Sequence, residues 1–491
     1  MNDFNRRDGN ESFAKHTARS GVWFVGFRLA IQALSWCITV LIARVLLPDD
    51  YGLMGMASIL TGYVSLFSEI GLGSAIVQRK NITDEETSTV FWLCIVIGCM
   101  FAVVAFLLSY PTAWIFNETR VIPITQLISC LFVIGSLAIV PGSILTKNGR
   151  FKQIGFIEFC ATAVSSISMY LMATSGFGVW TLIYGTIIQK AVSVVLIFYI
   201  SGWKPRLICN LHLAVPLLKF GVNVSAARSL SYISQKADVF IVGKLFTAQS
   251  LGYYSFAMQL ASIPTDKFVS IIQQVGYPVF AHYQDDTDKV SDFFLRATKY
   301  ISILVLPLFT CGIILSKELI LLVLGIKWLP IVDMFRAFCF ANLVICIASL
   351  NSMVHLAQNR PRWVLLFTGF NTILMTVGIF LAARRGFDAV VIPWVTISPL
   401  LAVIWTMLTV RRLGISIRIY FRGFIKPIAG TLLCVAGIYC VRLLSSYNII
   451  SENVGILMLS RDLFVGISIY ILFIMIFENN VYVEMRQLLK R

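Results

Sequence analysis

Fourteen stretches of this 491-residue chain are mostly apolar over about twenty residues, the length a helix needs to cross a bilayer. They lie near 20–43, 52–76, 88–109, 121–145, 153–174, 178–200, 218–243, 252–278, 295–316, 330–356, 363–383, 388–410, 424–446 and 457–477. Those near 218–243 and 252–278 are unusually polar. Only 13% of the residues are charged, against about 25% in a soluble domain. The surfaces of a soluble chain this long would need more charge than that. A soluble enzyme, a fibre and a disordered chain are therefore excluded, and an all-α polytopic membrane protein is expected. Residues 1–20 mix acids and bases and precede a span too long for a signal peptide's apolar core, so the first helix is expected to be retained.

The net charge of +16, from 40 Lys+Arg against 24 Asp+Glu, is explained first by topology. With the N-terminus inside, 25 of the cations fall on inner segments, nine on outer segments and six within spans. The outer nine include Arg120, Lys244, Lys327, Arg442 and Arg461. This bias predicts fourteen spans with both termini cytoplasmic, and no nucleic acid partner is needed. Most loops run 5–15 residues, which favours a transporter or channel over a membrane-anchored enzyme. Ten of the eleven cysteines sit in apolar stretches as small hydrophobes. There is no CxxC pair, Walker-A loop, GxSxG or HExxH sequence. No metal site, catalytic residue or cofactor is expected.

Residues 21–90 and 221–290 align at an offset of 200, with Gly52 and Gly252 among eight identities. Arg44 meets Lys244 by class. The alignment predicts two six-helix bundles: residues 1–205 as an N-lobe (helices 1–6) and 206–412 as a C-lobe (helices 7–12). Two additional helices and a cytoplasmic tail follow in 413–491. Parallel repeats of this kind enclose a site between bundles. Chance similarity between amphipathic helices is the alternative.

Polar residues recur at helical spacing inside the spans. Arg28, Gln32, Ser35 and Thr39 share one face of the first. Arg228, Tyr232 and Gln235 occupy the equivalent positions in the seventh, beside Lys236 and Asp238. The eighth carries Asp266 and Lys267, the fifth Glu158, the sixth Lys190, and the second Glu69. A charge at mid-bilayer costs about 2.5–3.5 kcal/mol on insertion scales, so these bases are expected to face a water-filled cavity that suits an anionic solute. Arg28, Arg228, Lys236, Lys267 and Lys190 are the candidate binding cations, with Gln32, Ser35, Tyr232 and Gln235 as polar lining. Glu69, Asp238 and Asp266 are candidate H+ or Na+ carriers. Each has a structural alternative: Lys190 can snorkel, Asp238 can neutralise Lys236, and Arg336 is expected to pair with Asp333 three residues earlier. The last two spans lack such stripes and are expected to be peripheral.

The strings "ARVLLPDDYGLMGMA" (43–57), "FSEIGLGSAIVQRK" (67–80), "YPVFAHYQDD" (277–286) and "GIKW" (325–328) resemble polysaccharide exporters of the Wzx/colanic-acid type. That family lies within the multidrug/oligosaccharidyl-lipid/polysaccharide flippase superfamily, and the resemblance runs over nearly the whole chain. It implies two six-helix lobes forming a V, plus two additional helices. It also implies translocation of undecaprenyl-pyrophosphate-linked oligosaccharide across the bacterial inner membrane, for exopolysaccharide, colanic acid or O-antigen. A polymerase and a chain-length regulator are the implied partners. Two other readings stay open: a cation-coupled multidrug exporter, whose cavity should favour acids, and a membrane-embedded glycosyltransferase or polymerase, which should carry a long catalytic loop.

Overall fold

The computed structural model describes residues 26–68, 72–79, 82–208, 232–444 and 452–477. The described residues are helical, with no strand. The chain falls into two compact units, Met1–Gly252 and Tyr253–Arg491.

The first unit contains α1 (Gly26–Val45), α2 (Pro48–Ser68), α3 (Leu72–Gln78), α4 (Asp84–Phe116) and α5 (Val121–Lys147). It continues through α6 (Phe151–Thr174), α7 (Trp180–Ser201) and α8 (232–245), and ends in the first turn of α9 (Ala248–His282). Helix α4 packs along α5, and α7 packs on both α5 and α6. One core lies where α3, α4 and α5 meet, with Ile76, Phe91, Cys94 and Val140 buried together. Most of α9 belongs to the second unit, followed by α10 (Thr287–Ile314), α11 (Ser316–Val323), a 3₁₀ turn (Ile326–Ile331) and α12 (Val332–Ala357). Then come α13 (Pro361–Ala383), a second 3₁₀ turn (Asp388–Val391), α14 (Ile392–Val395), α15 (Ile397–Arg412), α16 (Ile417–Leu444) and α17 (Glu452–Phe477).

The hydrophobic residues are turned inside out relative to a soluble protein. Val96, Leu107, Leu171, Leu366, Ile373 and Leu472 are all more than half exposed along their helices, which only a lipid surround makes favourable. Among the described residues, eleven helical stretches are long and apolar enough to cross a membrane. The chain is a multi-pass membrane protein.

Three of the fourteen expected spans are not among the eleven, for identifiable reasons. The window 52–76 is split, since α2 ends at Ser68 and the seven-residue α3 starts afresh at Leu72, and within the 21-residue α2 residues such as Asp49, Asp50, Thr61 and Ser65 dilute the apolarity. The window 252–278 lies inside the 35-residue α9, whose Gln259, Thr265, Asp266 and Lys267 dilute its apolarity. The window 218–243 lies largely outside the described residues. Elsewhere the helices overrun the expected limits. Helix α4 starts at Asp84 rather than near 88, because Thr83 and Glu86 form a capping box. The Glu86 N–H donates to Thr83 Oγ1 at 3.2 Å, and the Thr83 N–H donates to Glu86 Oε2 at 2.9 Å. With 33 residues, α4 is about 50 Å long and exceeds the bilayer's apolar thickness of about 30 Å.

Candidate functional site

The polar stripe of α1 runs through Arg28, Gln32, Ser35 and Thr39. Arg28 is exposed and the other three are half-buried. Helix α1 is set against α6 by Phe27, whose ring lies 6.2 Å from Phe156 and 5.9 Å from Phe159. Within α6 and α7 the polar residues bond one another. Gln189 Nε2 donates to Thr162 Oγ1 at 3.1 Å, and Ser165 Oγ donates to the Gly185 carbonyl at 2.7 Å. Lys190 and Glu158 are exposed beside these neutral pairs.

Tyr232, on the first turn of α8, reaches the backbone of α2. Its hydroxyl lies 3.1 Å from the Ser58 carbonyl oxygen and 2.9 Å from that of Ile59. Gly62 makes room for it, since a Cβ there would overlap the hydroxyl. Tyr232 is thus a pin between α2 and α8. Beyond it, Gln235 is exposed, Lys236 half-buried and Asp238 buried at 6% exposure. Asp266 and Lys267 are exposed on α9, in the second unit. Arg228 and Glu69 lie outside the described residues. Within the first unit, then, Arg28, Lys190 and Lys236 are carried by three different helices, α1, α7 and α8.

The offset of 200 reappears as geometry inside the first unit. A Cβ on Gly52 would overlap the carbonyl oxygen of Ala248, and a Cβ on Gly252 would overlap that of Pro48. Pro48 and Gly52 become Ala248 and Gly252 on adding 200. The contact is therefore reciprocal, as in a twofold pair of equivalent surfaces. Lys244, the counterpart of Arg44, donates to the Ile115 carbonyl and sits over the Trp114 ring.

Several charges have partners far away in sequence. Arg120 binds Asp49, 71 positions away, at 2.6 Å and Glu118 at 2.7 Å. This group lies at the α4–α5 turn, and the hydrogen bond from Arg120 holds the Glu118 carboxyl below its ordinary pKa. Arg442 of α16 binds Asp462 of α17 at 2.7 Å and Glu318 of α11 at 2.9 Å. Arg461 adds a 2.9 Å bond to Asp462, which is 2% exposed. Expected as loop cations beside peripheral helices, Arg442 and Arg461 instead lie within α16 and α17; Arg442 ties the two helices together and Arg461 braces Asp462 from its own helix. Asp462 is an in-span acid that the stripe pattern did not reveal, because its polar neighbours Ser460 and Arg461 adjoin it in sequence and do not recur at helical spacing. Arg336 pairs with Asp333 at 2.9 Å as the spacing predicts, and also donates to Ser316 Oγ at 2.7 Å. No group of three or more His, Cys, Asp or Glu could hold a metal ion among the described residues.

The chain is similar to the lipopolysaccharide biosynthesis protein WzxC of Escherichia coli, 24% identical over 375 residues and covering 76% of each chain. It is 22% identical over 315 residues to the succinoglycan biosynthesis transport protein ExoT of Rhizobium meliloti, covering 64% of each. Its fold matches the lipid II flippase MurJ in an inward closed conformation with a TM-score of 0.71 at 15% identity, over 94% of this chain and all of that one. The profile of a family described as polysaccharide biosynthesis protein matches residues 41–333. With more than half of its length inside that profile, the chain belongs to the polysaccharide biosynthesis protein family.

Proposed function

We propose that the protein translocates a polyprenyl-pyrophosphate-linked oligosaccharide across the cytoplasmic membrane by alternating access, with both termini cytoplasmic. The observation that carries this reading is family membership joined to bases placed inside membrane helices. Relatives named for lipopolysaccharide and succinoglycan biosynthesis share similar sequence, and the chain holds Arg28 and Lys190 within helices apolar enough to cross a membrane, with Lys236 on α8. Arginine offers a planar fork to phosphate oxygens, and lysine a compact charge. The pyrophosphate head is assigned to Arg28, Arg228, Lys236, Lys267 and Lys190, the sugars to the aqueous path, and the tail to lipid. Substrate has to bind both states, so a gradient or the removal of product biases the cycle. Glu69, Asp238 and Asp266 are the candidate H+ or Na+ carriers. A polymerase and a chain-length regulator are the downstream partners of this scheme.

A deletion strain tests it. Lipid-linked repeat units should accumulate and surface polymer should disappear, and the wild-type gene should restore both. Arg28→Ala and Arg228→Ala should each fail to restore polymer at normal membrane abundance. Wild-type export by both variants would remove the cationic-site assignment. Undiminished polymer in the deletion strain, with broad drug sensitivity, would replace the reading with drug export.

A further inference from the structure

We propose that the second unit carries a binding site for an anionic phospholipid, with an acyl chain in the groove between α12, α15 and α16 and the phosphate on the arginines at its end. The groove encloses a cavity of about 130 Å³, a slot for a stretch of hydrocarbon chain and not for a whole ligand. Val403, Met407 and Val410 of α15 and Ile417, Tyr420 and Phe421 of α16 form half of its wall. Val403 and Phe421 are exposed, so the groove opens sideways. Its polar lining is already engaged. Asn351 Nδ2 donates to Thr406 Oγ1 at 2.8 Å. What remains is hydrocarbon and aromatic surface, which takes a chain rather than a polar solute.

The charge at one end selects the head. Val410 is the last groove residue of α15, and Arg411 and Arg412 follow it directly. Ile417 is the first groove residue of α16, with Arg418 and Arg422 one position beyond Ile417 and Phe421. Gly414, at φ +68°, closes the turn that brings the two helix ends together. Arg360 precedes α13 and Arg362 lies in its first turn. Arg412 Nε is tied to Gln358 Oε1 at 3.2 Å, and Arg360 and Arg412 both lie within electrostatic reach of the His355 ring. All six arginines are exposed. None forms a salt bridge with a carboxylate among the described residues. Between 360 and 426 the sequence has a single acid, Asp388, which follows the opposite end of α13. Six bases with no carboxylate partner among the described residues, beside an apolar groove, fit a lipid phosphate. The site stands independently of the solute transported.

Full-length detergent-purified protein, equilibrated with phosphatidylglycerol and phosphatidylcholine of identical chains, tests the proposal by native mass spectrometry. Phosphatidylglycerol should be retained preferentially. Arg418→Ala with Arg422→Ala should weaken the preference by about fivefold for each arginine removed, while Arg418→Lys with Arg422→Lys keeps it. Ala402→Phe, which fills the groove and leaves the arginines in place, should lose retention of both lipids. Melting in phosphatidylcholine alone checks that each variant folds. Equal retention of the two lipids by the wild type overturns the proposal, as does a preference untouched by both the alanine pair and Ala402→Phe. Displacement of retained phosphatidylglycerol by equimolar geranylgeranyl pyrophosphate would give the groove to a polyprenyl carrier, and would also overturn it.

Discussion

Gly52 and Gly252 show how much one missing side chain can carry. Each lets a carbonyl oxygen, from Ala248 or Pro48, occupy the space of its own Cβ. Backbone cannot move aside as a flexible side-chain tip can. Gly52→Ala and Gly252→Ala should therefore each cost about 1–3 kcal/mol through overpacking, visible as lost monodisperse protein and a lower melting temperature. Gly135→Ala is the control, since nothing lies within 4 Å of its added methyl; it should leave melting unchanged or raise it. Tyr232 makes a subtler case. Removing its hydroxyl in Tyr232→Phe forfeits the bond to the Ser58 or Ile59 carbonyl, worth about 0.5–1.5 kcal/mol. Gly62→Ala should cost more than Tyr232→Phe, and the two should not add, because the methyl and the hydroxyl compete for one space. A double-mutant cycle on thermal melting measures that coupling.

At the scale of helices, the buried charges of the second unit decide how the last two helices attach. Asp462 is 2% exposed and depends on Arg442 and Arg461. Breaking one partner of a buried pair is costly, about 3–5 kcal/mol, whereas replacing the pair by apolar groups is often neutral. Arg442→Met should therefore destabilise the protein strongly, and adding Asp462→Leu should recover much of the loss, although Glu318 stays unpaired. Proteolysis of the α16–α17 region in detergent reads this directly. The Arg120 cluster behaves differently because it faces water. Glu118 has its pKa lowered on folding by the Arg120 hydrogen bond, so its stabilisation is complete above the ordinary Glu range near about 4.3. It is lost as pH falls through the folded value. Arg120→Gln should thus cost at most about 1 kcal/mol of stability at pH 7, seen as a slightly lower melting temperature, and should make no difference in strong acid. These two networks also mark where sequence reading stops. The Thr83–Glu86 cap could be read locally from its spacing, as could the Arg336–Asp333 pair. Arg120 with Asp49, and Arg442 with Asp462, are pairings created by tertiary packing, and no periodicity announces them.

The span count is the question for the whole molecule, and apolarity alone leaves it at eleven helical stretches among the described residues. Helices α2 and α9 are long enough, with 21 and 35 residues, yet too polar to qualify. Their polarity follows from the same feature that made them candidates for the solute path: a helix facing water or another helix on one side need not be apolar there. Hydropathy is therefore legible where a helix meets lipid and fades where it meets water or another helix, which is why most spans were clear and the seventh and eighth were not. Charge supplies the missing test. If α2, the segment at 218–245 and α9 all cross, the turns at 120, 244 and 327 share one side of the membrane, and those at 206, 289 and 360 share the other. In a cysteine-free background, Arg120→Cys and Lys327→Cys should react with a membrane-impermeant maleimide in spheroplasts, while Arg206→Cys and Arg360→Cys should react only after the cells are opened. If α9 failed to cross, Arg206 and Lys327 would share a side. Labelling of both from one face would then reduce the count and break the offset-200 symmetry that Gly52 and Gly252 express in contact.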